Sequence, residues 1–250
     1  MNAEWALSFI VHHSYSIGIH TWSVQGAYEV SSPPQHETPR FIAVEGPIRV
    51  GKSSLAEVLA ERLRALHLRD PEDNPFLEGF YRERPGAAFQ AQLYFLIERY
   101  KQLRDLDLAA TANRTVVSDY VFEKDKIFAY LNLSDAELRL YNDYYELLRE
   151  EIPIPDLVVY LQARPETLRR RIAKKNVPME NHISDEYLKE VVKAYEHFFF
   201  HYDSTNLLVI DTSEIDFVDR NEDLEQVLRR LSEPVKGTQY FLPLGSASAD

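Results

Sequence analysis

The chain of 250 residues contains no cysteine. It therefore forms no disulfide bond and offers no thiolate metal ligand and no cysteine nucleophile. A lack of cysteine fits the reducing cytoplasm, where we expect the protein to be located. Long apolar runs are also missing, because segments such as Phe41–Val44 and Leu157–Leu161 are far shorter than the roughly 20 residues of a membrane span. We therefore expect no membrane partner.

Basic residues are in deficit, with 28 lysines and arginines against 40 acidic residues and a formal net charge of −12. A protein that binds nucleic acid needs a basic stripe to replace the counterions at phosphates, so we expect no nucleic-acid partner. A small anionic ligand remains compatible with this balance, because a local cluster of cations can act inside an acidic protein.

The chain divides into three parts by composition. Residues 1–39 end in a linker-like stretch rich in proline and serine, and we interpret them as an extension outside the core. Residues 40–233 alternate short β-rich runs with longer helical patterns and form the predicted domain. Residues 234–250 are interpreted as a C-terminal tail. This alternation predicts an α/β fold of three layers, with a central parallel sheet of five strands, helices on both faces and a helical lid.

The apolar pattern also locates the individual elements. The predicted strands are Phe41–Glu45, Leu66–Arg69, Thr115–Ser118, Leu157–Gln162 and Leu207–Asp211. The predicted helices are Lys52–Leu66, Ala87–Leu106, Lys124–Leu131, Asp135–Glu150, Pro165–Lys174, Asp185–Tyr202 and Asn221–Leu231. Two of these helices carry their own start signals, which are a capping box over Ser134–Glu137 and a first-turn proline at Pro165.

The most informative motif is a complete G-x-x-x-x-G-K-[ST] sequence between the first predicted strand and the first predicted helix. It predicts a phosphate-binding loop whose backbone amides and helix N-terminus hold the phosphates of ATP. Within it, Lys52 is expected at the β- and γ-phosphates and the Ser53 hydroxyl on Mg²⁺. The candidate ATP-binding residues of this segment are Gly46, Pro47, Ile48, Arg49, Val50, Gly51, Lys52, Ser53 and Ser54.

The loop alone does not distinguish a GTPase, a transport ATPase and a small-molecule kinase. The chain lacks an Asn-Lys-x-Asp sequence, which a GTPase would use to read its base. A kinase is favoured by the basic helical segment 168–175, which can close over the nucleotide as a lid and bring guanidinium groups to the transferred phosphoryl group.

Several further stretches resemble the deoxynucleoside kinase family, particularly its bacterial branch of deoxyadenosine and deoxyguanosine kinases. The resemblance runs over about residues 40–231, and the order and spacing of its pieces are specific to that family. The matching stretches are 44–46 with the phosphate loop, 70–81, 89–100, 158–161 with 165–167, and 210–217. The resemblance implies an ATP- and Mg²⁺-dependent kinase that phosphorylates the 5′-hydroxyl of a deoxynucleoside for nucleotide salvage, and it implies a homodimer formed by the helices around 87–106 and 135–150.

The resemblance also assigns roles to individual positions. Asp70 stands where the family has its general base, with Glu72 as a second candidate, and Lys52 and Arg171 complete the expected catalytic set. Gln92 matches the amide that reads the nucleobase, and Arg99 lies two turns further along the same predicted helix. The remaining implied contacts are Tyr81 and Glu180 at the 3′-hydroxyl, Tyr187 near the sugar, Arg171 and Lys175 in the lid, and Asp216 and Phe217 at the adenine.

The chain departs from the family pattern at two places. Ser118-Asp119-Tyr120 replaces a Glu-Arg-Ser sequence, so the arginine that positions the 5′-hydroxyl is missing. Asp119 is a candidate to hold Mg²⁺ through water, and Lys124 or Lys126 are candidates for the missing cation. In addition, Val177 stands where the lid has a third cation.

These departures leave two alternatives open at the level of sequence. One is a nucleoside monophosphate kinase of the thymidylate type, which would need an extra basic pocket for which Arg99 is the candidate. The other is a nucleotide-binding module without catalytic activity. The presence of Lys52, Ser53 and Asp70 argues against this second alternative.

Overall fold

The computed structural model describes residues 39–106, 115–178 and 180–245. The predicted extension, residues 1–39, lies outside the described residues except for residue 39. In the part of the chain that is described, no helix has the length and apolar character needed to cross a bilayer.

A parallel sheet of six strands forms the centre of the molecule. Its strands are β1 (Phe41–Glu45), β2 (Leu66–Leu68), β3 (Val116–Ser118), β4 (Leu157–Gln162), β5 (Asn206–Asp211) and β6 (Thr238–Phe241), in the order β2-β3-β1-β4-β5-β6. The predicted parallel α/β fold is confirmed, but the prediction of five strands was one too few. The sixth strand lies in residues 234–250, which the sequence had suggested as a tail.

Helices connect the strands and flank the sheet. They are α1 (Lys52–Leu63), α2 (Leu77–Tyr81), α3 (Ala87–Arg104), α4 (Lys124–Asn132), α5 (Asp135–Arg149), α6 (Pro165–Lys175), α7 (Asp185–Phe200) and α8 (Asn221–Leu231). A short 3₁₀ helix, Glu180–His182, precedes α7. The capping box at the start of α5 and the first-turn proline of α6 are present as predicted.

Both faces of the sheet are covered, which explains why its strands are apolar without alternation. In β1, Ile42 and Val44 pack with Leu55 and Leu59 of α1 on one face. Ala43 packs on the other face in a cluster that includes Tyr195 and Phe199 of α7. Because neighbouring residues of a strand point to opposite faces, each strand supplies both layers of the core.

The fold brings three chain segments to the same edge of the sheet. The phosphate loop follows β1, Asp70 follows β2 and Asp119 follows β3, and β1, β2 and β3 are neighbours and parallel. The carboxyl ends of parallel strands share one edge, and open α/β sheets bind their ligands there. The candidate site is therefore expected at this edge.

Candidate active site

The phosphate loop joins β1 to α1 and depends on two glycines. Gly51 has φ +112° and Gly46 has φ +152°, and residues that carry a side chain rarely adopt either backbone angle. A Cβ atom at Gly46 would stand 2.2 Å from the carbonyl oxygen of Leu161, and one at Gly51 would stand 2.5 Å from the ring of Phe217. Glycine at both positions therefore permits the turn and its close packing.

The ammonium group of Lys52 folds back over this loop. Its Nζ donates to the carbonyl oxygens of Gly46, at 2.7 Å, and Pro47, at 3.1 Å. Burial lowers the pKa of Lys52 to about 8, helped by the nearby charge of Lys124, while the carboxylates of Glu45 and Asp70 oppose the shift. The lysine thus lies where a cation is poorly solvated, and an anionic phosphate would stabilise its charged form.

Glu45, the last residue of β1, is fully buried and fixes the start of the loop. Its carboxylate accepts hydrogen bonds from the amide of Gly46 at 2.8 Å, the amide of Val121 at 3.0 Å and the hydroxyl of Tyr195 at 3.1 Å. No sequence motif predicted a separate role for Glu45. The contacts show that it ties the phosphate loop to the segment after β3 and to α7.

Asp70 lies between two cations. Its carboxylate accepts from Arg99 Nε at 2.8 Å and from Lys124 Nζ at 2.5 Å, and both cations are almost completely buried. Burial alone would raise the pKa of Asp70, but the charges of Arg99 and Lys124 outweigh it and hold this pKa well below its usual range. The group is therefore a carboxylate anion at neutral pH.

Arg99 is held from behind by a second carboxylate. Its Nη1 donates to Asp125, whose side chain is fully buried at the start of α4. Burial raises the pKa of Asp125 to about 6 against the opposing charge of Arg99. The sequence gave no sign of this contact, because a lysine-flanked aspartate at a helix start is expected to be solvated.

Lys124 and Lys126 were the two candidates for the cation that the replaced Glu-Arg-Ser sequence lacks. Of the two candidates, Lys124 contacts Asp70, whereas Lys126 pairs with Glu146 at the surface and lies over the ring of Tyr145. The first helical turn of α4 points position 124 inward and position 126 outward. The spacing alone could not distinguish them.

Asp119 stands beside this cluster. It is buried, and its Oδ1 accepts the backbone amide of Asp70 at 2.6 Å, so it fixes the chain that carries the candidate base. Its charge is one of those that oppose the lowering of the Lys52 pKa by burial. The sequence did not indicate the contact with the Asp70 amide, and the role of Asp119 toward Mg²⁺ stays a prediction.

A cavity of about 230 Å³ opens between the phosphate loop and the helices α2, α3, α4 and α7. Lys52, Asp70, Arg99 and Lys124 line it. Gln92 of α3 also lines it; the residue is buried, and its amide forms no hydrogen bond with any described residue. The amide is therefore free to pair with a ligand in the cavity.

Two of the predicted sugar contacts lie in the same cavity. Tyr81 and Tyr187 both line it, and the Tyr187 hydroxyl donates to Asn132 at 3.2 Å. Glu180 does not line the cavity. It forms a bidentate ion pair with Arg49 of the phosphate loop, and its charge helps burial to raise the pKa of Tyr81.

The two predicted lid cations, Arg171 and Lys175, differ in their surroundings. Arg171 of α6 donates to the backbone carbonyl oxygens of Val50, Thr212 and Ile215, so it joins the phosphate loop to the segment after β5. Lys175 is exposed at the end of α6. Lys174, which the sequence analysis did not select, pairs with Asp216 and Asp219.

The segment after β5 reaches the phosphate loop through Phe217. Its ring is buried and packs against Gly51 of the phosphate loop. Asp216 lies nearby with its backbone amide bonded to Asp223. The arrangement brings the predicted adenine-binding segment next to the phosphate loop.

The site thus places a phosphate-binding loop next to a cavity, and Lys52 of the loop and the Asp70 carboxylate both line that cavity. A loop of this type holds the donor phosphates, and a carboxylate beside it can orient a hydroxyl acceptor. The fold and the site define a phosphotransferase of the P-loop class.

Comparison with known proteins gives the family. The family model for deoxynucleoside kinases matches residues 42–236. The chain is 34% identical to a deoxyguanosine kinase of Bacillus subtilis (strain 168), over 78% of this chain and 98% of that protein. It is 29% identical to a deoxyadenosine kinase of Lactobacillus acidophilus, over 79% of this chain and 97% of the relative. This chain belongs to the deoxynucleoside kinase family.

Solved structures agree with this assignment. A structure of deoxyadenosine kinase from M. mycoides with bound dATP superimposes with a TM-score of 0.64 at 26% identity, over 78% of this chain and all of that one. Another structure of that enzyme, with dCMP as a product, gives a TM-score of 0.65 at 27% identity, over 77% of this chain and 98% of that one. The expected family, the fold class and the ATP-dependent kinase activity are confirmed.

Proposed function

We propose that this protein transfers the γ-phosphoryl group of ATP to the 5′-hydroxyl of a deoxynucleoside bound in the cavity. The observation that carries the proposal is the position of Asp70, which lies on the cavity wall with Lys52 of the phosphate loop. Donor and acceptor sites therefore meet at one carboxylate. The proposed cellular role is nucleotide salvage in the cytoplasm.

The proposed catalytic set is Asp70, Lys52 and Arg171. The Asp70 carboxylate accepts the hydrogen bond of the 5′-hydroxyl and takes its proton as the phosphoryl group arrives. Arg99 and Lys124 keep this carboxylate deprotonated and oriented. Lys52 neutralises charge on the transferred phosphoryl group. Arg171 contacts the phosphate loop through the Val50 carbonyl oxygen, and its proposed task is to stabilise charge on the nucleotide.

Mg²⁺ fits the residues that are present. Ser53 is exposed at the N-terminus of α1, and its hydroxyl forms no hydrogen bond with any described residue. The described residues contain no cluster of three or more metal-ligating side chains. Ser53, and Asp119 through water, would hold the ion beside the ATP phosphates. Mg²⁺ bound there would neutralise phosphate charge.

We propose a purine deoxynucleoside as the preferred acceptor. Two of the relatives are named as a deoxyguanosine kinase and a deoxyadenosine kinase. The amide of Gln92 has both a donor and an acceptor with which to read a base edge. In this arrangement Tyr81 and Glu180 contact the 3′-hydroxyl and Tyr187 lies near the sugar, while Asp216 and Phe217 with Lys175 surround the ATP.

A nucleoside monophosphate kinase is disfavoured by the same contacts. Arg99 was the candidate for an extra phosphate pocket, but Asp70 and Asp125 already occupy its guanidinium group. A second phosphate placed there would also meet two carboxylates. The acceptor cavity is therefore suited to a neutral nucleoside.

We also propose a homodimer. An exposed apolar stripe runs along α5 at helical spacing and consists of Leu140, Tyr144 and Leu147, which are 47%, 45% and 69% exposed. These side chains stay exposed in a single protomer, and the same stripe of a second copy could cover them in a symmetric dimer.

The activity test is an assay with ATP, Mg²⁺ and each of the four deoxynucleosides, with thymidine monophosphate as a fifth acceptor. We expect 5′-monophosphates from deoxyguanosine or deoxyadenosine, and the Lys52→Ala variant serves as the matched inactive control. Phosphorylation of thymidine monophosphate alone would reject the proposal.

A further inference from the structure

Arg49 occupies an unusual position in the phosphate loop. Its φ is +60°, in the left-handed region where glycine is favoured over a large side chain. Gly46 and Gly51 satisfy similar demands in the same loop without a side chain. An arginine that persists in such a conformation needs a contact that holds it there.

The contact is a bidentate ion pair with Glu180. Arg49 Nε donates to Oε2 at 2.7 Å and Nη2 donates to Oε1 at 2.6 Å. The two side chains are only 29% and 14% exposed, so solvent screens the pair less than it screens the ion pairs of the outer surface. A bidentate fork also fixes the plane of the carboxylate, which a single hydrogen bond does not.

Neither residue of the pair lines the acceptor cavity, but its charges act on a residue that does. Burial and the Glu180 charge raise the pKa of Tyr81, which lines the cavity, and the Arg49 charge opposes this shift. Ile48, the neighbour of Arg49, and Ile183, at the end of the Glu180 turn, both line the cavity. The ion pair therefore joins the donor loop to the sugar end of the acceptor cavity.

We infer that Arg49 is a positioning residue of the acceptor site, which holds the Glu180 carboxylate beside Tyr81 so that it accepts the 3′-hydroxyl of the deoxynucleoside. This inference rests on the proposed function. Each carboxylate oxygen keeps a lone pair after it accepts one bond from Arg49, so the ion pair leaves an acceptor for the sugar. Phosphates in a loop of this type are held by backbone amides and the motif lysine, which leaves the Arg49 side chain for this task.

The test compares two acceptors that differ only at the 3′ position, a 2′-deoxynucleoside and its 2′,3′-dideoxy analogue. Arg49→Gly suits the local φ and leaves the loop amides in place. We expect this variant to lose roughly 10- to 100-fold in kcat/KM with the deoxynucleoside, the range for a hydrogen bond to a charged group. With the dideoxynucleoside the loss should be less than about threefold, because that acceptor makes no 3′ contact.

Further variants separate positioning from a structural role. Glu180→Gln should show the same selective loss, and the double variant should lose no more than either single one, because the two residues act as a unit. Arg49→Lys should recover only part of the selectivity, since it lacks the fork. Arg62→Ala, which removes the exposed long-range pair between Arg62 and Glu225, is the matched control and should leave the ratio of the two acceptors unchanged.

Three results would overturn the inference. An equal loss with both acceptors, together with a raised KM for ATP, would assign Arg49 to the phosphates. An unchanged ratio of kcat/KM for the two acceptors in Arg49→Gly would show that the ion pair does not contribute to binding of the 3′-hydroxyl. A wild-type protein that phosphorylates no deoxynucleoside would remove the proposed function itself, and this result is distinct because it appears before any variant is made.

Discussion

At the scale of single residues, two neighbouring carboxylates have different partners. Asp70 is paired with Arg99 and Lys124 on the cavity wall, whereas Asp119 binds the Asp70 amide and influences Lys52. In the proposed reaction the first would act on the acceptor and the second on the metal beside the phosphates. Their exchange for asparagine should therefore have different kinetic consequences.

Asp70→Asn should lower the maximal rate by roughly 10²- to 10⁴-fold, the usual range for a lost positioned base, without changing the Mg²⁺ requirement. Asp119→Asn retains an oxygen for the Asp70 amide and should instead raise the Mg²⁺ concentration for half-maximal rate. A Mg²⁺ titration of the rate measures both. A shifted metal dependence in the Asp70 variant alone would reverse the two assignments.

The lowered pKa of Lys52 predicts a pH effect on the donor. Burial brings this pKa to about 8, so the charged form is complete below that pH and is lost as the pH rises through it. Bound phosphates favour the charged form. We expect the KM for ATP to rise by up to about tenfold per pH unit above about 8, with little change in kcat at saturating ATP. The KM for the nucleoside is the internal control, and a parallel rise in both would point to another group.

The buried contact between Arg99 and Asp125 makes a prediction about stability. Asp125→Ala leaves a buried guanidinium group with only one of its two carboxylates and should lower the free energy of unfolding by about 3 kcal/mol. Lys126→Ala breaks a more exposed pair with Glu146 and should cost less than about 1 kcal/mol. Urea unfolding measures both variants, and equal costs would show that burial does not decide the difference.

At the scale of elements, the sequence predicted the helices and strands whose bounds depend on local sequence patterns. The bounds of β1, β4 and α8 agree with the structure, because apolar runs and turn residues define them. β6 was missed since it is short and half exposed at the sheet edge, where nothing in its composition distinguishes it from a tail. The short α2 was missed because five residues give no periodicity.

Long-range side-chain contacts could not be predicted in the same way. The phosphate loop could be predicted because its residues are contiguous in the sequence. Lys124 and Lys126 could not be distinguished, because only the direction of one helical turn in the folded structure places Lys124 against Asp70 and Lys126 against Glu146. The pair between Arg49 and Glu180 joins residues 131 positions apart, and no local pattern indicates it. The positions implied by resemblance for Gln92 and Tyr81 do lie in the cavity, while their roles stay predictions.

The capping box of α5 gives a test at this scale. The Glu137 carboxylate accepts from the Ser134 amide at 3.0 Å, and both halves of the box are formed. Ser134→Ala should lower the free energy of unfolding by about 1 kcal/mol, whereas Ser134→Asp, which is also a good N-cap, should keep most of it. Thermal or urea unfolding compares them. Equal losses in the two variants would show that the cap contributes no specific hydrogen bond.

At the scale of the whole molecule, the excess of acidic residues contrasts with the cations around the cavity. The formal net charge is −12, yet Lys52, Arg99 and Lys124 all line the cavity. Carboxylates already pair with two of these cations, since Asp70 contacts Arg99 and Lys124 and Asp125 contacts Arg99. Lys52 has no carboxylate partner among the described residues, so it is the cation of this group that an anionic phosphate would meet.

The proposed dimer makes the last prediction. If the stripe on α5 packs against a second copy, a charge placed at Leu147, which is 69% exposed in one protomer, would be buried without a partner in the dimer. Leu147→Asp should therefore convert the protein to a monomer in sedimentation or light-scattering measurements at micromolar concentration, with the protomer still folded. Leu244→Asp changes an equally apolar and 83% exposed residue after β6 and should leave the dimer intact. A wild-type protein that sediments as a monomer, or a Leu147 variant that remains dimeric, would remove α5 from the interface.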